Sequence, residues 1–569
     1  MKLLKAKKIY QVDEEFKVAD SVVIDGEKIV DTGSFEDLKA QYPDAEVNLE
    51  HENEVIYPGF IEPHTHLMGG VLPGGMILVD VIDWEVGDKL FAATTKKEEI
   101  FDRIHEDIKL HPEKQCHFAM GLYEPIHGIV TVEDLNAQNF GAPVVLVTNS
   151  THAWYFNDEA TELLGPELME LVPAGTYGLG TTDAGTFSGV LKEVAVQIGL
   201  AVLFKYLITP EVFMAGIKFQ YDSNMKKGVT TLVDMAWGLG GPLDQQSLGA
   251  MANFPQRLGL VHHWIAKAKE IYNEDISVEQ NRAQIFEAIK SDYEQNSFDV
   301  NNKRFTTKGV KYFADGAIID LEVINTVPDL ISGEEPEWNH DFRTKNIHHG
   351  LETMKSDIAE FFKNDFMVHV HTQGDKANQI MLQIFTDLQG EYGTKHNKMS
   401  IEHFSFANDK VFELMDVENS LYISGLPHYG YYFYDSWLKS GHVPESIVQT
   451  LSSFKKAIES GATLSLHSDF MNFPTDPLAC LYFATNKIIK STGETYNDQA
   501  ISMKDALKGI TINAAKNNQL DYQIGSIEPG KLADFTILDV DIFEMDEKEL
   551  LSTNAKSIYV GGIKYEYGK

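Results

Sequence analysis

Residues 366–404 read FMVHVHTQGDKANQIMLQIFTDLQGEYGTKHNKMSIEHF and hold one predicted strand, one predicted helix and a second strand. Apolar and polar side chains alternate from Phe366 to His371, apolar side chains recur at helical spacing over 375–388, and Ser400 to Phe404 is again strand-like. Strands that alternate with helices predict a parallel sheet with crossover helices. Both a closed (β/α)8 barrel and an open doubly wound sheet satisfy this pattern. Neither GxGxxG after an early strand nor GxxxxGK[ST] is present, so no nucleotide-phosphate loop is indicated.

The two ends of the chain differ from the middle in their residue pattern. Residues 1–57 contain short β-branched runs around the turn at Asp25-Gly26, and the last 50 residues contain similar runs around Pro529-Gly530. We therefore predict that two β fragments flank the central α/β region.

Composition limits the classes of partner and compartment. The 569 residues carry 85 acidic and 48 basic side chains, a net charge of -37, which would repel nucleic acid and anionic membranes. Two cysteines cannot form a disulfide framework, and no run approaches 18 apolar residues. The first residues, MKLLKAKKIYQVDEEF, lack a secretory apolar core. We expect a cytoplasmic protein with no nucleic-acid or membrane partner, and a homodimer as the commonest oligomer.

The first chemical signal is Pro58-Gly59-Phe60-Ile61-Glu62-Pro63-His64-Thr65-His66. In a strand, His64 and His66 project from the same face about 6.6 Å apart along the backbone, so both imidazoles can reach one ion.

Later strands repeat this geometry at their ends. His369 and His371 share the face opposite the valines, His403 follows 32 residues after His371, and Asp469 follows 66 residues after His403. His467 shares the inward face of Asp469. The carboxyl ends of parallel strands meet at one mouth, so these side chains predict a nitrogen and oxygen metal site.

Lys311 is predicted to point inward beside Phe313 and Asp315 in Gly309-Val310-Lys311-Tyr312-Phe313-Ala314-Asp315. A buried amine is costly unless it is neutralised, paired or chemically altered. One interpretation is an ion pair with Asp315 or another acid.

A divalent ion at such a site lowers the pKa of bound water and polarises a carbonyl, which favours hydrolysis. Asp469 could take the proton from that water and pass it to a leaving amine.

Eight ordered motifs run along the chain: PGFIEPHTH at 58–66, HAWYFN at 152–157, GVTTLVDMA at 228–236, GVKYFADGA at 309–317, VHVHTQGDKA at 368–377, IEHFSFAND at 401–409, HSDF at 467–470 and IGSIEPGKLADFTILD at 524–539. With these motifs the chain resembles the amidohydrolase superfamily, most closely its family 3 branch of YtcJ-like and N-substituted formamide deformylase-like proteins. The resemblance implies a (β/α)8 TIM barrel over 59–517, with insertions, and a small β-sandwich domain built from 1–58 and 518–569.

The resemblance also implies which residues hold the metal. The implied ligands are His64, His66, Lys311, His371, His403 and Asp469. They would bind one or two divalent ions, zinc being the first expectation, and Lys311 would be carboxylated to bridge two of them. The chain departs from the family at Glu62, where aspartate is more usual, and at Gly425-Leu426-Pro427-His428, where a glutamine-proline pattern is usual. His369 and His467 are extra inward residues that could orient ligands or line the pocket.

Four residues are candidates for contact with substrate: His152, Trp154, Asp315 and His428. An aromatic ring beside a histidine could grip an acyl or aryl group. Six aromatic residues follow strand seven and are predicted to form a loop at the barrel mouth: Tyr429, Tyr431, Tyr432, Phe433, Tyr434 and Trp437. An aryl or acyl amide is therefore the expected small-molecule substrate.

The favoured prediction is a metal-dependent amidohydrolase that cleaves a non-peptide C–N bond. A ring-amidine deaminase with a single metal is one alternative, although it has no use for a bridging lysine. Hydrolysis of an ester, lactone or phosphotriester is another, and an acidic binding protein without metal is the alternative outside enzymes.

Overall fold

The computed structural model describes residues 1–567 except 87–88, 252–253, 297–304, 307–308, 334, 337, 339–341, 344–347, 394–398 and 416–420. The strands in chain order are β1 Lys2–Tyr10, β2 Val18–Asp25, β3 Lys28–Gly33, β4 Glu46–Pro58, β5 Phe60–Thr65, β6 Ile77–Leu78, β7 Trp84–Val86, β8 Lys89–Phe91, β9 His117–Leu122, β10 Val144–Thr148, β11 Ala153–Phe156, β12 Leu179–Thr181, β13 Phe187–Lys192, β14 Val229–Trp237, β15 Arg257–His263, β16 Phe305–Thr306, β17 Gly309–Phe313, β18 Phe342–Arg343, β19 His348–His349, β20 Met367–Thr372, β21 Met399–His403, β22 Tyr422–Gly425, β23 Thr463–Leu466, β24 Phe535–Leu538, β25 Ser557–Val560 and β26 Ile563–Tyr565.

The helices in chain order are α1 Phe35–Gln41, α2 Val71–Gly75, α3 Lys97–Leu110, α4 Glu124–His127, α5 Val132–Ala137, α6 Asp158–Leu171, α7 Glu193–Leu207, α8 Pro210–Lys226, α9 Pro242–Met251, α10 Trp264–Ile271, α11 Val278–Asn296, α12 Leu351–Lys363, α13 Asp375–Tyr392, α14 Asp409–Leu414, α15 His428–Ser440, α16 Glu445–Val448, α17 Phe454–Glu459, α18 Pro477–Asn486, α19 Met503–Gly509 and α20 Ile512–Asn517. Short 3-10 helices span Leu67–Gly70, Ile318–Asp320 and Glu547–Ser552.

Eight parallel strands form the central sheet in the order β23-β22-β21-β20-β17-β15-β14-β5. The sheet is nearly closed, because Thr65 at the end of β5 forms an isolated parallel bridge with Phe470, just beyond β23. This closure confirms the barrel over the open doubly wound sheet.

The alternation in β20 explains how the barrel wall forms. Val368 and Val370 belong to one buried cluster with Met381 and Phe385 of α13, so the outer face of the strand is covered by helix. His369 and His371 are buried and take the opposite face, as the sequence predicts.

Both terminal segments contribute to one seven-stranded sheet with the order β26-β25-β24-β4-β1-β2-β3. This sheet is tied to the barrel by Arg257 of β15, whose Nε and Nη2 donate to the carboxylate of Asp534 at 2.5 and 2.9 Å. The union of the two terminal β fragments is confirmed, whereas a two-layered sandwich and the domain boundaries stay predictions.

A six-stranded sheet, ordered β12-β13-β11-β10-β9-β6, is inserted between the first barrel strand β5 and the second, β14. Apolar side chains cover both of its faces in two separate buried clusters. The motif HAWYFN, which contains β11, lies in this insertion.

Within the described residues, no single helix has the length and apolar composition of a membrane span. α7 and α8 reach that composition only as a pair bent by 112°.

Candidate metal centre

His64 lies near the end of β5 and His66 directly after it, and both face the mouth of the barrel because residues two apart share a face. His64 is buried, and its Nδ1 lies 2.7 Å from Glu402 Oε2. With Nδ1–H donating to this carboxylate, the lone pair of Nε2 faces the centre of the site. Burial lowers the pKa of His64 to about 4, which keeps the ring neutral. His66 directly follows β5, is partly exposed and approaches the centre from the end of that strand.

Asp469 lies at the centre of the histidines. Its Oδ1 is 3.1 Å from His66 Nε2 and 3.6 Å from His64 Nε2, and its Oδ2 is 3.8 Å from His403 Nδ1. Asn472 Nδ2 donates to Oδ2 at 2.8 Å. Burial opposes ionisation, but the histidines outweigh it and hold the pKa of Asp469 well below its usual range. A charged carboxylate is therefore available to bind a cation.

His403 ends β21 in an unusual backbone conformation. Its φ is 73°, and φ at Phe404 is 49° and at Asp469 54°, all in the left-handed region that favours glycine. Such strain persists where surrounding structure enforces it, and it clusters at functional sites. The strained backbone here belongs to two of the predicted ligands.

His467 joins the cluster directly. Its Nδ1 lies 2.8 Å from Ser424 Oγ and its Nε2 3.2 Å from His403 Nδ1. Two overlapping groups have ligand atoms within 4.8 Å of one another: His64, His403 and His467 in one, and His64, His66 and Asp469 in the other. His467 therefore lies among the predicted ligands rather than behind them.

Lys311 is fully buried on β17. Its Nζ lies 3.3 Å from His64 Nε2 and 5.0 Å from the centroid of the Phe313 ring. Burial lowers the pKa of Lys311 to about 8. The amine thus faces the same ring nitrogen that faces Asp469, as the sequence predicts for a residue of the site.

His371 lies beside the two ligand groups, but its Nε2 has its partners outside them. That atom lies 3.1 Å from the carbonyl oxygen of Gly316 and 3.1 Å from Gln373 Nε2. The centroid of its ring is 4.4 Å from that of His403. His371 is therefore a neighbour of the two ligand groups and belongs to neither of them.

The donor set fits a divalent ion. Ring nitrogens from different strands lie 3.1 to 3.8 Å from one another and from a carboxylate. Among the described residues, Asp469 Oδ1 and His66 Nδ1 have no hydrogen-bond partner despite burial. Imidazole and carboxylate ligands suit zinc and other first-row divalent metals.

These residues surround a cavity of about 40 Å3, which is also lined by the segment 150–152 of the inserted sheet. His152 lines it, and Nδ1 of His152 lies 2.8 Å from Glu193 Oε2. Trp154 is fully buried beneath, with Nε1 donating to the carbonyl oxygen of Thr151 at 2.8 Å. Of the predicted substrate residues, His152 thus adjoins the metal cluster, with its ring centroid 5.8 Å from that of His371, whereas Trp154 lies behind Thr151.

Asp315 holds a loop together. Its carboxylate accepts backbone N–H groups of Gln373, Gly374 and Ile324 at 2.9, 2.8 and 3.1 Å. Gly374 is required there because a Cβ would lie 2.0 Å from the carbonyl oxygen of Ile324. These bonds fix the segment that follows His371, so Asp315 acts on the site through the backbone.

The aromatic segment after strand seven is a helix, so the predicted mouth loop is wrong. α15 places Tyr429, Phe433 and Trp437 at i, i+4 and i+8, and all three rings are buried together. His428 packs against Phe473 and Phe483, with ring centroids 4.6 and 5.0 Å apart. Of the six aromatic residues, Tyr429 is the one found among the described residues that line the cavity at the metal cluster.

Two residues were not singled out from the sequence. Glu402 is fully buried, and its Oε1 accepts from Ser400 Oγ at 2.7 Å and lies 2.8 Å from His369 Nδ1, while its Oε2 faces His64. Its position next to His403 in a strand end was the available signal. His263, at the end of β15, is buried with neither ring nitrogen partnered among the described residues.

The barrel, with neutral histidines and a carboxylate at the carboxyl ends of its strands, defines a protein of the metal-dependent hydrolase type in fold and donor set. The model of the amidohydrolase family matches residues 48–563, and the chain belongs to that family. A model of an imidazolonepropionase-like composite domain matches residues 22–45.

Relatives and solved structures agree with this assignment. A Bacillus subtilis (strain 168) protein named as an amidohydrolase, YtcJ, is 23% identical and covers 98% of both chains. The N-substituted formamide deformylase of Arthrobacter pascens is 22% identical, covering 98% of this chain and 96% of its own. An uncharacterized metal-dependent hydrolase from Pyrococcus horikoshii OT3 shares the fold with a TM-score of 0.68 at 20% identity, over 96% of this chain and 99% of its own.

Proposed function

We propose that this amidohydrolase cleaves a non-peptide C–N bond of a small aryl or acyl amide, with one or two divalent ions, zinc first, held by His64, His66, Lys311, His371, His403 and Asp469. The observation that carries the proposal is the buried Asp469 carboxylate, which lies within 3.1 to 3.8 Å of nitrogens from three histidines. The name of the formamide deformylase relative supports an amide as the substrate class.

A bound divalent ion supplies an activated water molecule and polarises the scissile carbonyl group. Asp469 is placed to accept the proton of the attacking water and to deliver it to the leaving nitrogen. Glu402 holds His64 in the tautomer that exposes Nε2. His152, oriented by Glu193, lies across the cavity, where it can donate a hydrogen bond to the substrate.

Lys311 is proposed to be carboxylated and to bridge two ions. Its fully buried amine lies 3.3 Å from His64 Nε2. Addition of the neutral amine to carbon dioxide, with release of one proton to solvent, would form an N–C bond and replace a buried cation by an anionic carbamate. We also propose a cytoplasmic location, on the ground of composition, and a homodimer, because dimers are the commonest soluble oligomers.

The test is metal content per chain by plasma mass spectrometry on wild type and Lys311→Ala prepared side by side. Two metals that fall to one or fewer in the variant are expected. One metal in both proteins would make Lys311 structural and favour the deaminase alternative, and none in either would refute the metal site. His127→Ala, a buried histidine bonded to Thr94 outside the cluster, is the matched control and should keep the wild-type metal content.

The reaction class is tested with metal-loaded enzyme on matched pairs of an N-aryl amide and the corresponding aryl ester, with release of amine or phenol measured. Faster turnover of the amide, lost in Asp469→Asn, is expected. Turnover of the ester alone would favour the ester hydrolase alternative.

A further inference from the structure

A second cavity opens beside the metal cluster. It measures about 120 Å3 and shares five lining residues with the first cavity: His66, Thr151, His152, Phe313 and Met471. A substrate with its reacting bond at Asp469 could therefore extend its remaining part into this space. We call it the side cavity.

The walls of the side cavity are mostly apolar. Trp154 and Leu72 contribute from the insertion and the segment after β5, while Val196, Leu200 and Phe204 contribute from α7. An apolar cavity of about 150 Å3 binds one benzene ring, so the side cavity has room for about one ring. Apolar pockets take their specificity from a few polar atoms. The side cavity thus fits an aryl or branched alkyl arm.

One polar side chain in this wall has no partner of its own. Gln197 of α7 is 8% exposed, and neither its Oε1 nor its Nε2 has a hydrogen-bond partner in the part of the chain that the structure describes. A buried amide without partners is costly, so a ligand that satisfies it gains affinity over one that does not. Because an amide both donates and accepts, it matches a hydroxyl or another amide.

Helix α7 carries both Gln197 and Glu193, and Glu193 contacts His152 beside the metal cluster. Glu193 stands one turn earlier on the same face of α7 and binds His152 through Nδ1 at 2.8 Å. Both residues line the side cavity. A substrate can therefore place its reacting bond near His152 and the end of its arm at Gln197, along the same wall of the side cavity.

The same wall disfavours an anionic arm. Asp234 and Asp244 line the side cavity, and each uses a carboxylate oxygen to accept backbone N–H groups, from Ala236 at 2.7 Å and from Gly238 at 2.8 Å. Burial raises the pKa of Asp234, and it raises that of Asp244 to about 7, so these two groups carry only part of their charge near neutral pH. A carboxylate brought between them and Glu193 would meet this charge, and the charge of Glu193, in a partly desolvated space.

We propose that the side cavity selects substrates whose apolar arm ends in an uncharged hydroxyl or amide, and that Gln197 is the residue that recognises this group. The inference rests on the proposed function for the reacting end of the substrate, whereas binding of the arm does not depend on hydrolysis.

The probes are three phenethyl formamides that differ only in the para substituent, which is hydroxyl, methyl or carboxylate. Their kcat/KM is measured with metal-loaded wild type, Gln197→Met and Gln220→Met. Gln220 is the matched control, because it is a buried glutamine of the next helix α8 with both amide atoms unpartnered among the described residues, and it does not line the side cavity.

Wild type and Gln220→Met should prefer hydroxyl over methyl by about tenfold, the worth of one buried hydrogen bond. Gln197→Met should lose this preference or invert it, and the carboxylate should be the poorest substrate of every enzyme. A preference that survives in Gln197→Met, or a carboxylate that is processed best, would overturn the inference. If Gln197→Met does not fold, Gln197→Asn, which retracts the amide by one methylene, is measured instead with the same expected loss.

Failure of the proposed function is separable from failure of this inference. If none of the formamides is hydrolysed, their dissociation constants are measured by isothermal titration on the same metal-loaded proteins. A hydroxyl preference in binding that depends on Gln197 alone would support the inference without the reaction. Equal binding of hydroxyl and methyl probes, or no binding of any probe, would refute it.

Discussion

Replacing Glu402 by glutamine should weaken metal binding although Glu402 itself does not belong to either ligand group. The carboxylate is fully buried and has three neighbours: His64 Nδ1 at 2.7 Å, His369 Nδ1 at 2.8 Å and Ser400 Oγ at 2.7 Å. Two oxygens can accept from both histidines at once. A glutamine has one oxygen, so its NH2 group must face one histidine.

The magnitude follows from this mismatch. Where the NH2 group meets His64, Nδ1 must become the acceptor, and the ring proton moves to Nε2, the atom that faces Asp469 and Lys311. Where it meets His369 instead, a buried hydrogen bond is lost behind the site, at about 1 to 3 kcal/mol. Loss of a partner that orients a metal-binding histidine typically costs about 10- to 100-fold in metal affinity, and we expect that range for Glu402→Gln.

The assay is zinc competition against a fluorescent chelator at constant pH, with far-UV circular dichroism and the urea midpoint of the metal-free proteins measured alongside. Glu62→Gln is the matched control, since Glu62 is an equally buried glutamate that accepts the backbone N–H of Ser468, a bond that the amide oxygen of glutamine can also accept. Its zinc affinity should stay within a few-fold of wild type. Wild-type affinity in Glu402→Gln, or equal losses in both variants, would refute the orienting role.

Three further predictions concern stability and access. Asp534→Ala removes the carboxylate that two guanidinium nitrogens of buried Arg257 contact, and should lower the free energy of unfolding by about 3 to 5 kcal/mol in urea titrations; an unchanged midpoint would show that the pair is dispensable. Gly374→Ala places a Cβ 2.0 Å from a backbone oxygen and should reduce both the thermal midpoint and metal content, whereas full retention of both would contradict the close approach. Cys116 and Cys480 are buried, and burial raises the pKa of both thiols, so Ellman's reagent should react with neither in the native protein and with both in urea; rapid native reaction would refute their burial.

Strand periodicity was sufficient to predict a parallel α/β sheet and most of the cluster. It did not distinguish the closed barrel from the open sheet, and the barrel was implied by the motif resemblance. In β20 the valines and histidines must take opposite faces, and the carboxyl ends of parallel strands must meet. Those two rules bring His64, His66, His403 and Asp469 together with no knowledge of loops. The rules do not fix where a ring nitrogen points, and for that reason His371 turns its Nε2 to the Gly316 carbonyl while lying on the predicted face.

The aromatic segment and the role of His467 show what a strand-by-strand interpretation omits. Tyr429, Phe433 and Trp437 recur at helical spacing, which predicts a helix, whereas their place after a barrel strand predicts a loop at the mouth. The helix forms because it buries all three large rings together. His467 could not be separated from a lining residue by spacing, because its role depends on Ser424, one strand away, which leaves Nε2 facing His403. Glu402 acts in the same way on His64 and His369. Cross-strand hydrogen bonds of this kind select which of the inward histidines present a lone pair to the centre. The bonds of Ser424 and of His369 join neighbouring strands, whereas the bond from Glu402 to His64 joins β21 to β5 and forms only when the barrel closes.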